Sequence, residues 1–545
     1  MSRRKRYAAV VVVAAVAVAG GVLTGAGAGP GESPVLTNVA TANTRSDGYA
    51  PANKLSVELA EQVVAQGSTK FENPSAGVSY YGYDNDVVNA AGDPQMVPTP
   101  TNPTHEAHKT EPDKNTYLVF KHSLPGADPS YWYGTHFLFQ GHEGGSPGNI
   151  TRINLDADAA HRVTLLATKD TSGANLATID GVTWEPFAQR LLFTTENGGG
   201  PSVYSATPGY PSTVIDLAGS FGHGAYEGIE DDSDGNIWIS EDASGAAKPV
   251  GCTGAACTTA KVPNSFIYRY VPKHKGDLTN GKLQVLQVLN AAGAPITKAS
   301  QTPLNSADQV ALHTYGATFK TNWITIHDTA TDGTAAFSAN ALAVGKNGTP
   351  FKRPENAAFR PHDGFKEFYF DETGDTNATS PENAIGGWTS IFKLAQRDPS
   401  DDHGTLSLFY KGDAQHAGFD NVTFISRNQV TFVEDAGATL HGQRNALDNG
   451  WLFNVNTSYA DPANQPTRWL AQGRDASATL DAANGGFGTN EDDNEITGVV
   501  VANGSPGTDG ILGAKSPRLW RDDWRWFYTQ QHGDNPTYEV LPADG

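Results

Sequence analysis

From Thr116 onward, apolar and polar positions alternate in short bursts. The runs are YLVF (117–120), HFLFQ (136–140), RVTLLAT (162–168), RLLFTT (190–195), NIWIS (236–240), SFIYRYV (265–271), KEFYFD (366–371), LSLFY (406–410), VTFI (422–425), QVTFV (429–433), GWLFNV (450–455), GVVVA (498–502) and RWFYTQQ (525–531). They are rich in aromatic and β-branched residues, and Gly, Pro, Asn or Asp bounds each, as expected of strands ended by turns. Almost no segment there carries the 3.6-residue apolar period of a helix. The pattern predicts an all-β domain over 111–545, too large for a single sandwich. Residues 29–110 are richer in Pro, Asn, Thr and Ala and read as an irregular extension wrapping that domain, with one amphipathic helix predicted over Lys54–Gln66.

A unit recurs within the β-rich part. Residues 181–196, 228–241, 356–371 and 421–434 each read as strand, tight turn, strand and a closing acidic residue: Glu196, Glu241, Asp371 and Glu434. Glu196 and Glu241 are 45 residues apart, close to one propeller blade; the later spacings are longer. The expected architecture is therefore a β-propeller with long inserted loops. Equivalent hairpins would set their closing carboxylates on one rim of a central channel, where mutual repulsion calls for cations.

Composition narrows the chemistry. The chain has 545 residues with 59 Gly and 32 Pro, is 18% charged and 38% hydrophobic, and so is neither a coiled coil nor a multi-pass membrane protein. A formal charge of −21 argues against nucleic-acid binding, which needs a basic surface. Arg3-Arg4-Lys5-Arg6, the apolar run Ala8–Val22 and Ala26-Gly27-Ala28 have the order of a signal peptide over residues 1–28, so a secreted protein without a membrane anchor is expected. Cys252 and Cys257 stand in a small-residue loop; a local disulfide is the simpler reading, and metal ligation, with His274 as the nearest histidine, is the alternative. Residues 230–241 approach an EF-hand spacing, but their flanks are poor helices, and a hairpin turning at Asp234-Gly235 fits better. Gly144-Gly145-Ser146-Pro147-Gly148 matches a nucleophile elbow only in letters, because Pro147 lacks the N–H an oxyanion hole requires.

Several short motifs follow one another in a telling order: His142-Glu143, Tyr226-Glu227, Glu241-Asp242, Arg353-Pro354-Glu355, Glu434-Asp435, Asn494-Glu495-Ile496-Thr497-Gly498 and Gln531-His532-Gly533. From Tyr117 to Tyr538 this order resembles the PhoX-type secreted alkaline phosphatases and the propeller proteins related to them. The resemblance implies a six-bladed propeller whose channel holds calcium and ferric iron and which hydrolyses phosphate monoesters. Carried over, Glu143, Glu196, Glu227 and Glu355 would ligate metal, with Glu241 and Asp242 close by. Arg353 would clamp the phosphoryl oxygens, and His142, Glu434, Glu495 and His532 would line the site.

The sequence also departs from the family. The stretch Asn175–Trp184, where the phosphatases place an iron-ligating cysteine, has none; Tyr226 replaces a histidine, Ile496 a proline, and Gln-His-Pro-Gly becomes Gln-His-Gly-Asp. Calcium, which accepts an all-oxygen ligand set, is accordingly the expected cation and iron is not. The leading expectation is a secreted metal-dependent phosphoesterase acting on a small phosphate ester. The alternatives are a propeller lactonase or esterase, and a catalytically degenerate calcium-binding propeller.

Overall fold

A computed structural model describes residues 34–45, 52–96, 107–249, 259–374, 385–473 and 495–543. The signal peptide expected over 1–28, the disulfide expected between Cys252 and Cys257, and Asn494 fall outside the described residues. The described residues form antiparallel sheets with only short helices. Every strand expected from the sequence is present, because the apolar runs are short and turn residues stop each of them.

Six four-stranded units are found among the described residues. The first comprises Pro112–Val119, His136–His142, Ile150–Asn154 and Val163–Ala167; the second Val182–Glu185, Arg190–Thr194, Val203–Ala206 and Val214–Asp216. The third comprises Tyr226–Asp231, Ile237–Glu241, Ile267–Pro272 and Gly281–Leu289; the fourth Ala357–Phe359, Glu367–Glu372, Ser390–Gln396 and His403–Lys411. The fifth comprises Phe419–Ser426, Gln429–Glu434, Asn449–Asn454 and Thr467–Ala471. The sixth takes Ile496–Ala502, Arg525–Gln530 and Thr537–Pro542 from the end of the chain and Leu59–Ala65 from its beginning. The first strand of each unit lies against that of the next, and the sixth returns to the first, which is the closed ring of a β-propeller.

The packing follows the same circle. Separate hydrophobic clusters fill the successive interfaces: Phe137 and Phe139 of the first unit meet Leu191 and Phe193 of the second, whose Leu192 meets Ile229 and Ile239 of the third. Trp238 packs against Phe359 and Phe368; Tyr369 faces Phe424 and Phe432; Trp469 packs at a tilt on Trp526; and Phe527 meets Leu138. Successive residues of one strand therefore face two different neighbours, so a run such as Leu191-Leu192-Phe193 is apolar throughout instead of alternating.

Two expectations change. The predicted helix over Lys54–Gln66 is instead two strands: Lys54–Leu55 pairs with Thr467–Ala471, and Leu59–Ala65 pairs with Thr537–Pro542. The open sheet edges of the fifth and sixth units supply a backbone partner that outweighs the local helical preference. The 130-residue interval from Glu241 to Asp371 contains an additional strand, Thr318–Asp328, which bridges the outer edges of the third and fourth units and merges them into one nine-stranded sheet.

Candidate active site

In a hairpin the first strand starts where the second strand ends, so both termini of every unit's inner pair emerge on the same rim. At the starts of the first strands stand Asp113, Asp180, Glu227, Glu355, Asp420 and Glu495, one carboxylate per unit. At the ends of the second strands stand Glu143, Glu196, Asp242 and Asp435, with Thr373 and Gln531 in the fourth and sixth units. The ring gathers these carboxylates. Ligand oxygens lie within 4.8 Å of one another in the trios Asp113/Asp180/Glu227, Asp113/Glu143/Glu495, Glu143/Asp180/Glu196, Glu196/Glu227/Asp242 and Glu227/Glu355/Asp420. The trios share members, so nine carboxylates form one continuous cluster.

Local backbone irregularity aims these side chains. Strand pairing slips between Pro112 and Asn115, between Tyr226 and Ile229, between Phe419 and Val422, and between Thr497 and Val500. Asp113, Glu227 and Asp420 each lie in such a slip, where a β-bulge turns a side chain out of the regular alternation. Glycine lets the rim close tightly: a Cβ on Gly228 would lie 2.6 Å from the Glu355 carbonyl, which the Gly228 N–H meets at 2.8 Å. Amides stitch neighbouring units beneath the acids. Asn356 Nδ2 donates to Glu227 Oε1 at 3.0 Å and to Asp420 Oδ1 at 3.1 Å, while Asn421 Nδ2 donates to Asp420 at 2.9 Å and its Oδ1 accepts from Gly498 N–H at 3.0 Å.

The electrostatics of the cluster are unfavourable without cations. Burial, reinforced by carboxylate neighbours, pushes Glu143, Asp180 and Glu227 well above the usual range and Asp420 up to about 7. Burial likewise raises Glu355, although Arg353 pulls it back. Among the described residues, neither carboxylate oxygen of Asp180 nor Oδ1 of Asp113 meets a hydrogen-bond donor. Orphaned buried carboxylate oxygens are costly and fit a hard cation, which takes many oxygen ligands. No His or Cys belongs to the trios, so the donor set among the described residues is all oxygen.

Arg353 borders this cluster. Its Nε donates to both oxygens of Asp242 at 3.0 and 2.8 Å, and Nη2 lies 2.8 Å from Asp242 Oδ2 and 2.7 Å from Glu355 Oε1. Its side chain keeps 20% of its surface open to solvent. A partly exposed guanidinium beside a carboxylate cluster that runs from buried Asp113 and Asp180 to exposed Glu196 can receive an anionic group while the acids hold cations.

The structure thus brings together Glu143, Glu196, Glu227, Asp242, Arg353, Glu355 and Glu495. Glu241, Glu434 and His142 turn to other partners. Glu241 turns into the third unit, where it accepts from Phe266 N–H (3.1 Å), Tyr268 Oη (2.9 Å) and Asn340 Nδ2 (3.0 Å) and is pushed up to about 8 by burial. Glu434 is buried in the fifth unit beneath Arg444, Asn449 and Trp451. In both Glu-Asp pairs it is the second acid that stands at the rim. His142 is enclosed by the hydroxyls of Thr110 and Thr151, each at 2.9 Å, and burial lowers its pKa to about 3, so it is neutral and structural in setting. His532 is buried with Nδ1 3.6 Å from Glu111 Oε1, and the preceding Gln531 donates to Glu143. Asp113, Asp180 and Asp420 were not singled out by sequence; the available signal was one acid at the start of every inner strand.

Comparisons with known proteins agree with this fold. The sequence model of the family "Alkaline phosphatase PhoX" matches residues 251–506. No curated protein matches the sequence. Among solved structures, Pseudomonas fluorescens PhoX, in complex with the transition state analogue vanadate, superposes with a TM-score of 0.53 at 11% identity, covering 93% of this chain and 98% of that one. A gluconolactonase from Xanthomonas campestris, XC5397, gives a TM-score of 0.33 at 11% identity, covering 85% and 97%. The match over residues 251–506 and the ring of units described above make this chain similar to the PhoX alkaline phosphatases in sequence and in fold.

Proposed function

We propose that the chain is a secreted, calcium-dependent phosphoesterase that hydrolyses small phosphate monoesters at the carboxylate cluster. The observation that carries this reading is the continuous set of nine carboxylates bordered by Arg353. The family match and the vanadate bound by the Pseudomonas fluorescens protein support phosphoryl chemistry. The all-oxygen donor set favours calcium, and the export-like sequence of residues 1–28 supports secretion.

In this reading Asp113, Glu143, Asp180, Glu196, Glu227, Asp242, Glu355, Asp420 and Glu495 hold the cations. When bound, the cations neutralise charge on the phosphoryl group and activate an oxygen nucleophile. Arg353 spends Nε and Nη2 on Asp242 and Glu355, which fixes the plane of the guanidinium and leaves Nη1 for a phosphoryl oxygen. Asn356 and Asn421 hold Asp420 and Glu227 in place. Overall, water adds oxygen to phosphorus, the ester P–O bond breaks, and the alcohol leaves with a proton.

The test is hydrolysis of p-nitrophenyl phosphate, with a lactone as control, before and after chelation and after return of calcium or iron. Phosphatase activity lost on chelation and restored by calcium is the expected result, and Glu355→Gln should remove calcium loading and turnover together. Lactone hydrolysis alone would replace the reading with an esterase, and inactivity under every metal condition with a degenerate binding protein.

A further inference from the structure

The segment Lys352–Asn356 carries both Arg353 and Glu355, yet its conformation is not one the chain adopts freely. Arg353 has a φ of 54°, in the left-handed region that a long side chain disfavours, and Pro354 contributes no N–H that could anchor the turn. Something outside the segment has to hold it. Two adjacent acids at the end of the facing strand do so. Asp371 Oδ1 accepts the backbone N–H of Glu355 at 3.1 Å and of Asn356 at 3.0 Å, and Glu372 Oε1 accepts that of Lys352 at 2.8 Å. The same strand end clamps the carbonyls: Asp371 N–H donates to Asn356 O (3.2 Å), Thr373 N–H to Arg353 O (2.9 Å) and Gly374 N–H to Lys352 O (3.1 Å).

Both acids are buried, 0% and 1% exposed, and neither belongs to the carboxylate trios. Glu372 is itself fixed, because its Oε2 meets His313 Nε2 at 2.8 Å and His313 Nδ1 is 2.9 Å from Gln309 O, in the helix Ala307–Leu312. The fourth unit therefore departs from the first, second, third and fifth for a reason. Where the first, second, third and fifth units end their second strand on a rim carboxylate, the fourth ends on a pair that grips its own rim segment from behind.

We propose that Asp371, seconded by Glu372, is a positioning residue that holds Arg353 and Glu355 in the geometry the site requires. This rests on the phosphoesterase reading above. The relevant property of Asp371 is one oxygen placed between two N–H groups, not its charge. An asparagine preserves that oxygen, an alanine removes it, and a glutamate keeps the charge but moves the oxygen by a methylene.

The experiment uses the full chain and compares Asp371→Ala, Asp371→Asn, Asp371→Glu and Glu355→Gln. Melting curves give each variant's Tm, and calcium titration calorimetry and p-nitrophenyl phosphate kinetics are recorded well below it. Asp371→Ala and Asp371→Glu should lose at least tenfold in kcat and in calcium affinity and raise KM, while Asp371→Asn stays within about threefold of wild type. A lower Tm with unchanged kcat, KM and calcium affinity in Asp371→Ala would overturn the proposal, as would a Glu variant that works better than the Asn variant. If Asp371→Ala does not fold, the contrast between Asn and Glu decides. Should Glu355→Gln also leave calcium binding and turnover intact, it is the phosphoesterase reading that fails, not the clamp alone.

Discussion

Asp180 is the member of the cluster whose role can be separated from folding most sharply. It is 2% exposed, both its oxygens lack a donor among the described residues, and burial beside Asp113 and Glu143 raises its pKa well above the usual range. A group like this destabilises the cation-free protein, and under the proposed function a bound cation compensates it. Asp180→Asn should therefore act with opposite signs in two states. Without calcium the variant should melt higher, by on the order of 1 kcal/mol, because a repulsive buried acid becomes a neutral amide. With calcium it should gain less than wild type, since one ligand oxygen has lost its charge. Melting curves with and without calcium read both effects, and a variant less stable in both states would assign Asp180 to packing. Arg353→Ala addresses the substrate side. With the guanidinium gone, KM for p-nitrophenyl phosphate should rise at least tenfold, and lysine should not restore it, since an ammonium cannot make the planar contacts seen with Asp242 and Glu355. Wild-type KM in the alanine variant would remove Arg353 from substrate binding.

Among the elements, the strand Leu59–Ala65 has the largest consequence for its size. It pairs along its length with Thr537–Pro542 and so covers the outer edge of the unit that joins the end of the ring to its beginning. Removing the chain through Ala65 would expose that edge and the apolar surface under Leu59. We expect a loss on the order of 3–5 kcal/mol from the ladder and the buried side chains, together with concentration-dependent association. Melting and size-exclusion chromatography of the truncated chain test this; a monomer with wild-type Tm would show that the strand is dispensable. The same strand shows what sequence leaves hidden. Its residues satisfy a helical period, and only a partner more than four hundred positions away makes them extended. The inner hairpins were legible because their two strands and turn are adjacent in sequence, and Asp232 indeed organises the expected turn by accepting from Asp234 N–H, Asn236 N–H and Trp238 Nε1. Which acid of Glu241-Asp242 or Glu434-Asp435 reaches the rim was not legible. The parity of a strand depends on slips such as the one at Glu227-Gly228, which follow from how units pack and leave no local sequence mark.

For the whole molecule, the net charge of −21 is unevenly placed: part of it is gathered at one rim of the ring. That makes stability, cation and pH a single coupled quantity. Asp420 has a folded-state pKa of about 7, raised by burial and by Asp113, against an unfolded value near 4 for an ordinary aspartate. Between those two values the folded protein binds the proton that the unfolded chain has released, so the stability of the cation-free protein falls as pH rises from about 4 to about 7 and then levels. Glu143, Glu227 and Glu355 are raised in the same direction by burial and add to the decline. Under the proposed function calcium binds the ionised acids in competition with those protons, so its stabilisation should grow over the same interval, and loading should release protons to the buffer. At one hundred times its dissociation constant, a single ion adds about 2.7 kcal/mol. The expected result is two melting curves that diverge with pH: Tm falling from pH 5 to pH 8 in chelator, and holding or rising in calcium. Parallel curves would mean that the carboxylates do not exchange protons for cations, and the cluster would then be a structural feature of the ring and not its working site.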